Sequence, residues 1–334
     1  MDFAPVGSPH QLYHRYTECK IISTALNPDE DFLGLIHGLT SKSVVEGVLR
    51  ERHPMPNRKI SLAASEIKSY VAQGLRFVDQ ARSGPRVISF LPYYYAFLQF
   101  AKAEIVARHP KLDPKNMLHH GLSYSPAVKD SQSLDTEIVK VYPKGVFTSY
   151  YEVLTKKTFP TLTQIKMKDV YPFIVDASSE YEMATGCPFL FKNLRFFKNE
   201  HGSLQVHPSY NSSPESFLEK EYKRNKSTGA FQKNPLHSIL PMYLLYHSNV
   251  VNSDDFWYST PIRKGRLQYP EEIPLYLIFF HLGSIVRYKP RFMEKMMDSK
   301  YLPFLLATER HCSFKFFQLF YNFMMQCNYF ITTP

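Results

Sequence analysis

The sequence predicts a mainly α-helical fold with a small β-hairpin or sheet insertion in the middle of the chain. Apolar residues recur at helical spacing in long segments near both ends of the chain. Between them, short alternating stretches are separated by turn residues, a pattern typical of short strands. With 334 residues and a hydrophobic fraction of 44%, the chain can bury a sizeable core.

Two consecutive helices are predicted in the first third of the chain. The first has one apolar face at offsets of four, four and three residues, formed by Ile67, Val71, Leu75 and Val78. A Ser-Gly-Pro sequence at 83–85 ends it. The second is predicted to begin at Pro92, because proline suits a first helical turn, and to run to Arg108. Its largely apolar circumference indicates a helix at the centre of the core.

The middle of the chain predicts short strands and helices. Residues 137–142 alternate weakly and favour a strand, whereas residues 146–154 fit a strand or a helix. Residues 189–197 and 203–207 flank an Asn-Glu-His-Gly sequence, whose glycine supplies the positive φ of a hairpin turn. Residues 215–224 predict a short charged helix.

The end of the chain is again helical. A helix is predicted from Pro274 through Tyr288, Pro290 breaks it, and Ser313 is predicted to cap the last helix. Polar residues three or four positions apart give residues 314–330 one polar stripe, which favours a core-packing helix over a membrane span. We divide the chain into an N-terminal helical part at 1–130, a mixed α/β region at 131–268 and C-terminal helices at 269–334, together one compact unit.

The basic charge of the chain predicts an acidic partner. The formal net charge is +10 and aromatic residues make up 15% of the sequence. Such a balance favours contact with RNA or DNA, although a generally basic, solvated surface gives the same composition. The start of the sequence shows no secretion signal, so a reducing cytoplasm is expected, with no membrane association.

The sequence predicts no cofactor and no metal site. The four cysteines form no Cys-x-x-Cys pair and have no histidine at zinc-finger spacing, and Cys312 and Cys327 fit buried thiols. Phosphate-loop, dinucleotide-binding, zinc-protease and nucleophile-elbow motifs do not occur. Whether the chain is an enzyme stays open, and a non-enzymatic role is favoured.

Three sequence blocks carry a resemblance to a known family. They are PYYYAFLQFAKA at 92–103 with HHGL at 119–122, KGVF at 144–147, and FFHLGSIVRYKP at 279–290. In these blocks the chain resembles the YaaC-like family of bacterial proteins, over roughly residues 60–300. The family normally has a tryptophan after the second proline, where this chain reads Arg291-Phe292-Met293.

The resemblance implies a helical protein with a small β element and little chemistry, because the family is largely uncharacterised. The tyrosine-rich helix also resembles those of HEPN domains, which commonly act on RNA. A metal-independent HEPN-like ribonuclease needs an arginine for phosphate charge and a histidine for proton transfer, about five to seven positions apart. Arg195 and His201 have that spacing, and the alternative is that both are surface residues of the predicted hairpin.

The candidate binding residues lie in these blocks and in one basic stretch. The blocks contribute Tyr93, Tyr94, Lys102, His119, His120, Arg287 and Tyr288. Arginine binds phosphate bidentately and tyrosine stacks on bases, so these residues are candidates for contact with nucleic acid or another ligand. Five of them are predicted to share one site, because the blocks that contain them are the most patterned parts of the sequence: Tyr93, Tyr94, Lys102, His120 and Arg287. The stretch after Trp257 contributes Arg263, Lys264 and Arg266, which a solvated surface also explains.

Structural roles compete with binding for the strongest candidates. The His-His-Gly sequence at 119–121 also fits a helix end at which glycine supplies the turn. Arg287 also fits an ion pair with a core carboxylate such as Glu104 or Glu66.

These observations predict a cytoplasmic protein that associates with RNA or DNA, with bacterial antiphage (antiviral) defence as one interpretation of its role. Two alternatives stay open. One is a protein-interaction or scaffold subunit that holds a protein partner or forms a homo-oligomer. The other is a HEPN-like ribonuclease.

Overall fold

The computed structural model describes residues 18–23, 28–110, 117–125, 134–159, 164–187, 191–198, 204–208, 222–224, 231–233, 246–247, 257–261 and 270–332. The chain divides into two units. One comprises residues 29–189 and 270–325, and we call it the helical unit. The other comprises residues 1–28, 190–269 and 326–334, and we call it the β unit after its described strands.

The first half of the helical unit contains four successive helices: α1 Pro28–Gly38, α2 Lys42–Arg52, α3 Asn57–Ser83 and α4 Arg86–Arg108. The apolar face predicted for residues 67–78 lies in α3 and is buried. The prediction that the second helix begins at Pro92 is wrong, because α4 begins at Arg86 and Pro92 lies inside it. Proline costs the helix one backbone N–H, but buried contacts of the preceding turns, such as Phe90 against Phe279, hold the helix together there.

A small sheet and two short helices follow. Strands β2 Leu122–Ser125, β3 Ile138–Val141 and β4 Gln164–Lys166 pair antiparallel in that order. The segment that fitted a strand or a helix forms helix α5 Val146–Thr155. Short 3₁₀ turns between residues 167 and 177 lead into α6 Ser178–Thr185. The predicted strand at 137–142 is confirmed as β3.

The C-terminal part of the helical unit contains α7 Glu272–Tyr288, α8 Pro290–Met297, α9 Leu302–Ala307 and α10 Ser313–Met325. The prediction that Ser313 caps a helix is wrong, because a π-helical turn, Thr308–Cys312, runs directly into α10. The Ser313 hydroxyl instead donates to the carbonyl of Glu309 within that continuous helix. The helix predicted to reach residue 330 ends at Met325, and strand β11 Cys327–Thr332 follows.

Aromatic rings form the core in which α4, α7 and α10 meet. Phe97 is fully buried, stacks on Phe316 at 3.8 Å between ring centroids, and contacts Phe279 at 4.5 Å. Phe100 stacks on Phe320 at 4.6 Å. Ring pairs of this kind contribute about 0.5–1.5 kcal/mol each beyond their buried area. The prediction that α4 lies at the centre of the core is therefore confirmed.

The β unit contains six strands that form one sheet: β5 Phe191–Lys198, β6 Leu204–Pro208, β7 Tyr222–Arg224, β8 Phe231–Lys233, β9 Tyr246–His247 and β10 Trp257–Pro261. Neighbouring strands are antiparallel, and their order in the sheet is β7-β8-β6-β5-β10-β9. Strands β5 and β6 confirm the predicted hairpin. The helix predicted for residues 215–224 is wrong over Tyr222–Arg224, because that segment pairs with β8. Strand β1 Glu18–Ser23 pairs in parallel with β11.

Candidate functional site

The candidate site lies where α4 and α7 approach each other closely. Gly283 of α7 faces the α4 backbone, and a Cβ atom there would lie 3.2 Å from the carbonyl oxygen of Phe90. The absence of a side chain at Gly283 therefore allows the two helix backbones to approach each other closely. The approach brings Phe280 within 5.2 Å of Tyr94, measured between ring centroids. Tyr94 and Arg287, far apart in the sequence, consequently share one surface depression.

The loop that carries His119 and His120 is held against the start of α5. The backbone N–H groups of Val146 and Phe147 donate to the carbonyls of His119 and His120, at 2.9 and 3.0 Å. The first N–H groups of a helix have no acceptor within the helix. The loop carbonyls supply those acceptors, and the same hydrogen bonds fix the loop against α5. The residues before Met117 lie outside the described part of the chain, so the helix-end alternative for the His-His-Gly sequence stays a prediction.

Two glycines make this attachment possible. Gly121 and Gly145 both have positive φ, 78° and 140°. A Cβ atom on Gly145 would lie 2.4 Å from the Cα of Gly121, which is closer than non-bonded atoms approach. The His-His-Gly-Leu and Lys-Gly-Val-Phe blocks of the sequence are therefore the two sides of one backbone contact.

Tyr94 and His120 form a hydrogen-bonded pair at the bottom of the site. The Tyr94 hydroxyl lies 2.7 Å from Nδ1 of His120. Tyr94 is 4% exposed, and burial raises the pKa of its hydroxyl well above the usual value. Burial, together with the charges of Lys102, Arg287 and His119, lowers the pKa of His120. The positive charges of Lys102 and Arg287 therefore act at His120, and they favour an anion placed beside it.

Arg287 and Tyr288 end α7 with their side chains exposed. The guanidinium carbon of Arg287 lies 5.2 Å from the centre of the Tyr288 ring. Among the residues that the structure describes, no carboxylate forms an ion pair with Arg287. The carboxylate of Glu104, one proposed partner, accepts a hydrogen bond from Tyr150 at 3.2 Å instead.

A buried hydrogen-bond chain fixes the ring beneath Tyr288. Tyr124 stacks on Tyr288 with 6.1 Å between centroids and 14° between planes. Its hydroxyl donates to Glu137 at 2.6 Å, and Lys289 donates to the same carboxylate at 2.8 Å. Burial and the Glu137 carboxylate raise the pKa of Tyr124. The hydrogen bond to the buried Glu137 carboxylate thus holds the Tyr124 ring in place beneath the exposed ring.

These groups surround a cavity of about 190 Å³, which we call the Arg287 cavity. Its described polar and aromatic walls are Tyr94, Tyr95, His120, Tyr124, Arg287 and Tyr288. Its described lining residues include one cation, Arg287, and several hydroxyls but no carboxylate. The cavity is suited to an anionic group that carries or adjoins a flat ring.

The structure places the remaining candidates differently. Tyr93, on the neighbouring face of α4, is buried against Phe279 at 5.8 Å, and burial raises its pKa to about 12. Lys102 lies with its ammonium 5.6 Å from the centre of the Tyr70 ring, and it reaches the site through its charge on His120. The structure leaves His119 exposed, at the wall of a second cavity.

The other predicted residues belong to the β unit. The backbone of Arg195 lies in β5, in register with His207 of β6. His201, Arg263, Lys264 and Arg266 lie outside the described residues.

Sequence reasoning missed Tyr124, Glu137 and Lys289. The only local signal was weak: Glu137 begins a predicted strand and Lys289 belongs to the third resemblance block. Their contact joins positions 152 residues apart, and no periodicity in the sequence reports such a pairing.

The comparisons with known proteins complete the description. The model of the YaaC-like protein family matches residues 38–324. The chain belongs to the YaaC-like family. Comparison with curated proteins and with solved structures gives no match. In the described part of this YaaC-like protein, no helix is both long and apolar enough to cross a bilayer, and no three or more His, Cys, Asp or Glu side chains are grouped to hold a metal ion.

Proposed function

We propose that this YaaC-like protein binds single-stranded nucleic acid through the Arg287 cavity. One observation carries the proposal: an exposed arginine, without an ion pair among the described residues, adjoins an exposed tyrosine ring that a buried network holds in place. Cations that track a phosphate backbone beside rings that stack on bases are the usual combination in proteins that bind single strands.

The phosphate position lies between Arg287 and His120. Both side chains line the cavity, and each contributes a positive charge or a hydrogen-bond donor. Lys102 adds a further cation whose field reaches His120. A bidentate arginine contact suits a phosphate diester, and the net charge of +10 favours association with any polyanion.

The base position is the Tyr288 ring. This ring is 58% exposed, and Tyr124 supports one of its faces. A supported ring loses little conformational freedom when a base stacks on it, so more of the stacking energy of about 1–3 kcal/mol appears as affinity.

The proposal is tested by fluorescence anisotropy with labelled RNA and DNA single strands of about twelve nucleotides. We expect binding whose equilibrium constant falls steeply between about 50 mM and about 200 mM salt. The absence of binding to both strands at the lower salt concentration would refute the proposal. A preference between the two strands would identify the natural nucleic acid.

Arg287→Ala is the decisive variant. We expect about tenfold weaker binding and a salt slope smaller by about 0.7, since one phosphate contact is lost. Arg76→Ala removes an exposed arginine from α3, outside the residues that line the cavity, and serves as the matched control. Equal effects of the two substitutions would mean that binding is nonspecific and does not use the Arg287 cavity.

A further inference from the structure

A second, larger cavity adjoins the Arg287 cavity. Its volume is about 740 Å³, within the range of small-molecule sites, and we call it the Tyr142 cavity. Its described walls come from two short segments, residues 118–122 and residues 142–144.

The walls of the Tyr142 cavity are preformed. The Tyr142 N–H donates to the carbonyl of Gly121 at 2.9 Å, and Leu122 is paired with Val141 in the β2–β3 ladder. The contact between Gly121 and Gly145 also holds the two wall segments together. A ligand therefore meets walls that the fold has already positioned.

The described walls combine exposed apolar surface with one cation, Lys144. Leu118 is 71% exposed and Tyr142 is 52% exposed, which leaves apolar surface open to a ligand. His119 and Lys144 supply the polar groups, and no described residue of the lining is acidic. An apolar cavity with one cation and without described acids is complementary to a flat, uncharged ring attached to an anionic chain.

The two cavities share part of their lining. His120 and Leu122 line both of them. A ligand that occupies both cavities therefore has His120 beside each of its two ends. His120 also adjoins the phosphate position at Arg287. The ligand group that best fits beside His120 is therefore a phosphate with one base in each cavity.

We propose that the Tyr142 cavity is a second nucleobase site, so that the protein holds two consecutive nucleotides of a single strand. The first base lies on Tyr288, the joining phosphate lies at Arg287 and His120, and the second base lies against Tyr142. This inference rests on the proposed function of the Arg287 cavity and specifies its ligand as a dinucleotide step.

The test compares two ligands of equal charge. One is 5′-phosphorylated thymidylyl-thymidine, and the other is the same compound with an abasic second sugar. We expect calorimetric titration of the full chain to give about tenfold tighter binding of the first ligand, because stacking of one base contributes that much. Tyr142→Ala should reduce this ratio to near one without weakening the abasic ligand.

Two further variants separate the sites. Tyr288→Ala should weaken both ligands by a similar factor and keep their ratio, because it removes the first base position. Met183→Ala, which truncates a side chain that is 77% exposed and lines neither cavity, should change nothing. Circular dichroism checks that each variant is folded.

The outcomes distinguish the two proposals. If the wild-type protein binds long single strands but binds the two short ligands equally, the second base site is absent and the Arg287 cavity stands alone. An unchanged ratio in Tyr142→Ala overturns the inference in the same way. If neither long nor short ligands bind, both proposals fail. Binding of a peptide at Tyr142, without nucleic acid, would assign the cavity to a protein partner and also overturn the inference.

Discussion

Two groups of charged side chains in the helical unit differ in what surrounds them. At the Arg287 cavity, the cation Arg287 lies at the surface and the described lining contains no acid. At the start of α7, Glu271 and the ammonium of Lys315 lie 3.6 Å apart in the interior, with Glu272 and Asp176 nearby. Lys315 is fully buried.

The comparison of these two groups shows which charged side chains are available to a ligand. The interior group places one ammonium among three carboxyl groups, and burial raises the pKa of Glu271 to about 8 despite that ammonium. The exposed group leaves its positive charge unbalanced, so an external anion can complete it. Changes in the interior group are therefore expected to alter the stability of the fold. Changes in the exposed group are expected to alter binding, with little effect on stability.

Removing a cation from each group should give the largest contrast. Lys315→Met leaves buried carboxyl groups without their ammonium, so we expect the free energy of unfolding to fall by about 3 kcal/mol or more. Arg287→Met removes an exposed charge, so its effect should stay within about 0.5 kcal/mol. Urea denaturation of both variants measures the contrast. Equal stabilities would contradict the distinction between the two groups.

The glycine contact should show the next largest effect. Gly145→Ala places a Cβ atom against the Gly121 backbone at a positive φ, so we expect a loss of about 1–3 kcal/mol and weakened nucleic-acid binding. Gly186→Ala is the control, because Gly186 also has a positive φ but no atom within 4 Å of the added Cβ. Thermal denaturation should rank Gly145→Ala as clearly the more damaging.

The interior group also predicts a pH dependence. Above the ordinary glutamate pKa the unfolded chain loses a proton that folded Glu271 keeps until about pH 8. Stability should therefore fall by up to about 1 kcal/mol per pH unit as the pH rises from about 5 to about 8. Glu271→Gln should flatten this decline, whereas Glu294→Gln, at an exposed position of α8, should not. A decline that persists unchanged in Glu271→Gln would assign the proton elsewhere.

The smallest effect is expected at Tyr124. Tyr124→Phe removes the hydrogen bond to Glu137 and keeps the ring beneath Tyr288, so we expect a loss of about 1 kcal/mol in stability. Nucleic-acid binding should stay within about twofold of the wild type, because stacking needs the ring. Strongly weakened binding by a stable Tyr124→Phe protein would show that the hydroxyl itself contacts the ligand.

Much of the fold could be predicted from the sequence because local patterns determine it. The apolar face at 67–78 and the helix near 274–288 are confirmed, and so are the strand at 137–142 and the hairpin of β5 and β6. Helical periodicity and turn glycines act over a few residues, so they are legible without knowledge of distant contacts.

The errors occurred where distant contacts override local signals. Pro92 and Ser313 are typical of helix starts, yet packing of α4 and the π-helical turn before α10 carry the helices through both positions. Tyr222–Arg224 was predicted as helix, and pairing with β8 makes it a strand. In each case the local sequence has only a weak preference for the predicted structure, of a few kcal/mol or less, and tertiary contacts outweigh it.

The candidate site divides along the same line. The sequence by itself determined which residue types were present: the tyrosines, the His-His-Gly loop, the arginine at the end of an apolar helix, and the YaaC-like blocks that contain them. Only the tertiary structure decided that Tyr94 and Arg287 face one cavity while Tyr93 faces the core. A one-residue step on a helix turns a side chain by about 100°, and which of the two then meets the partner helix depends on the packing of α4 against α7.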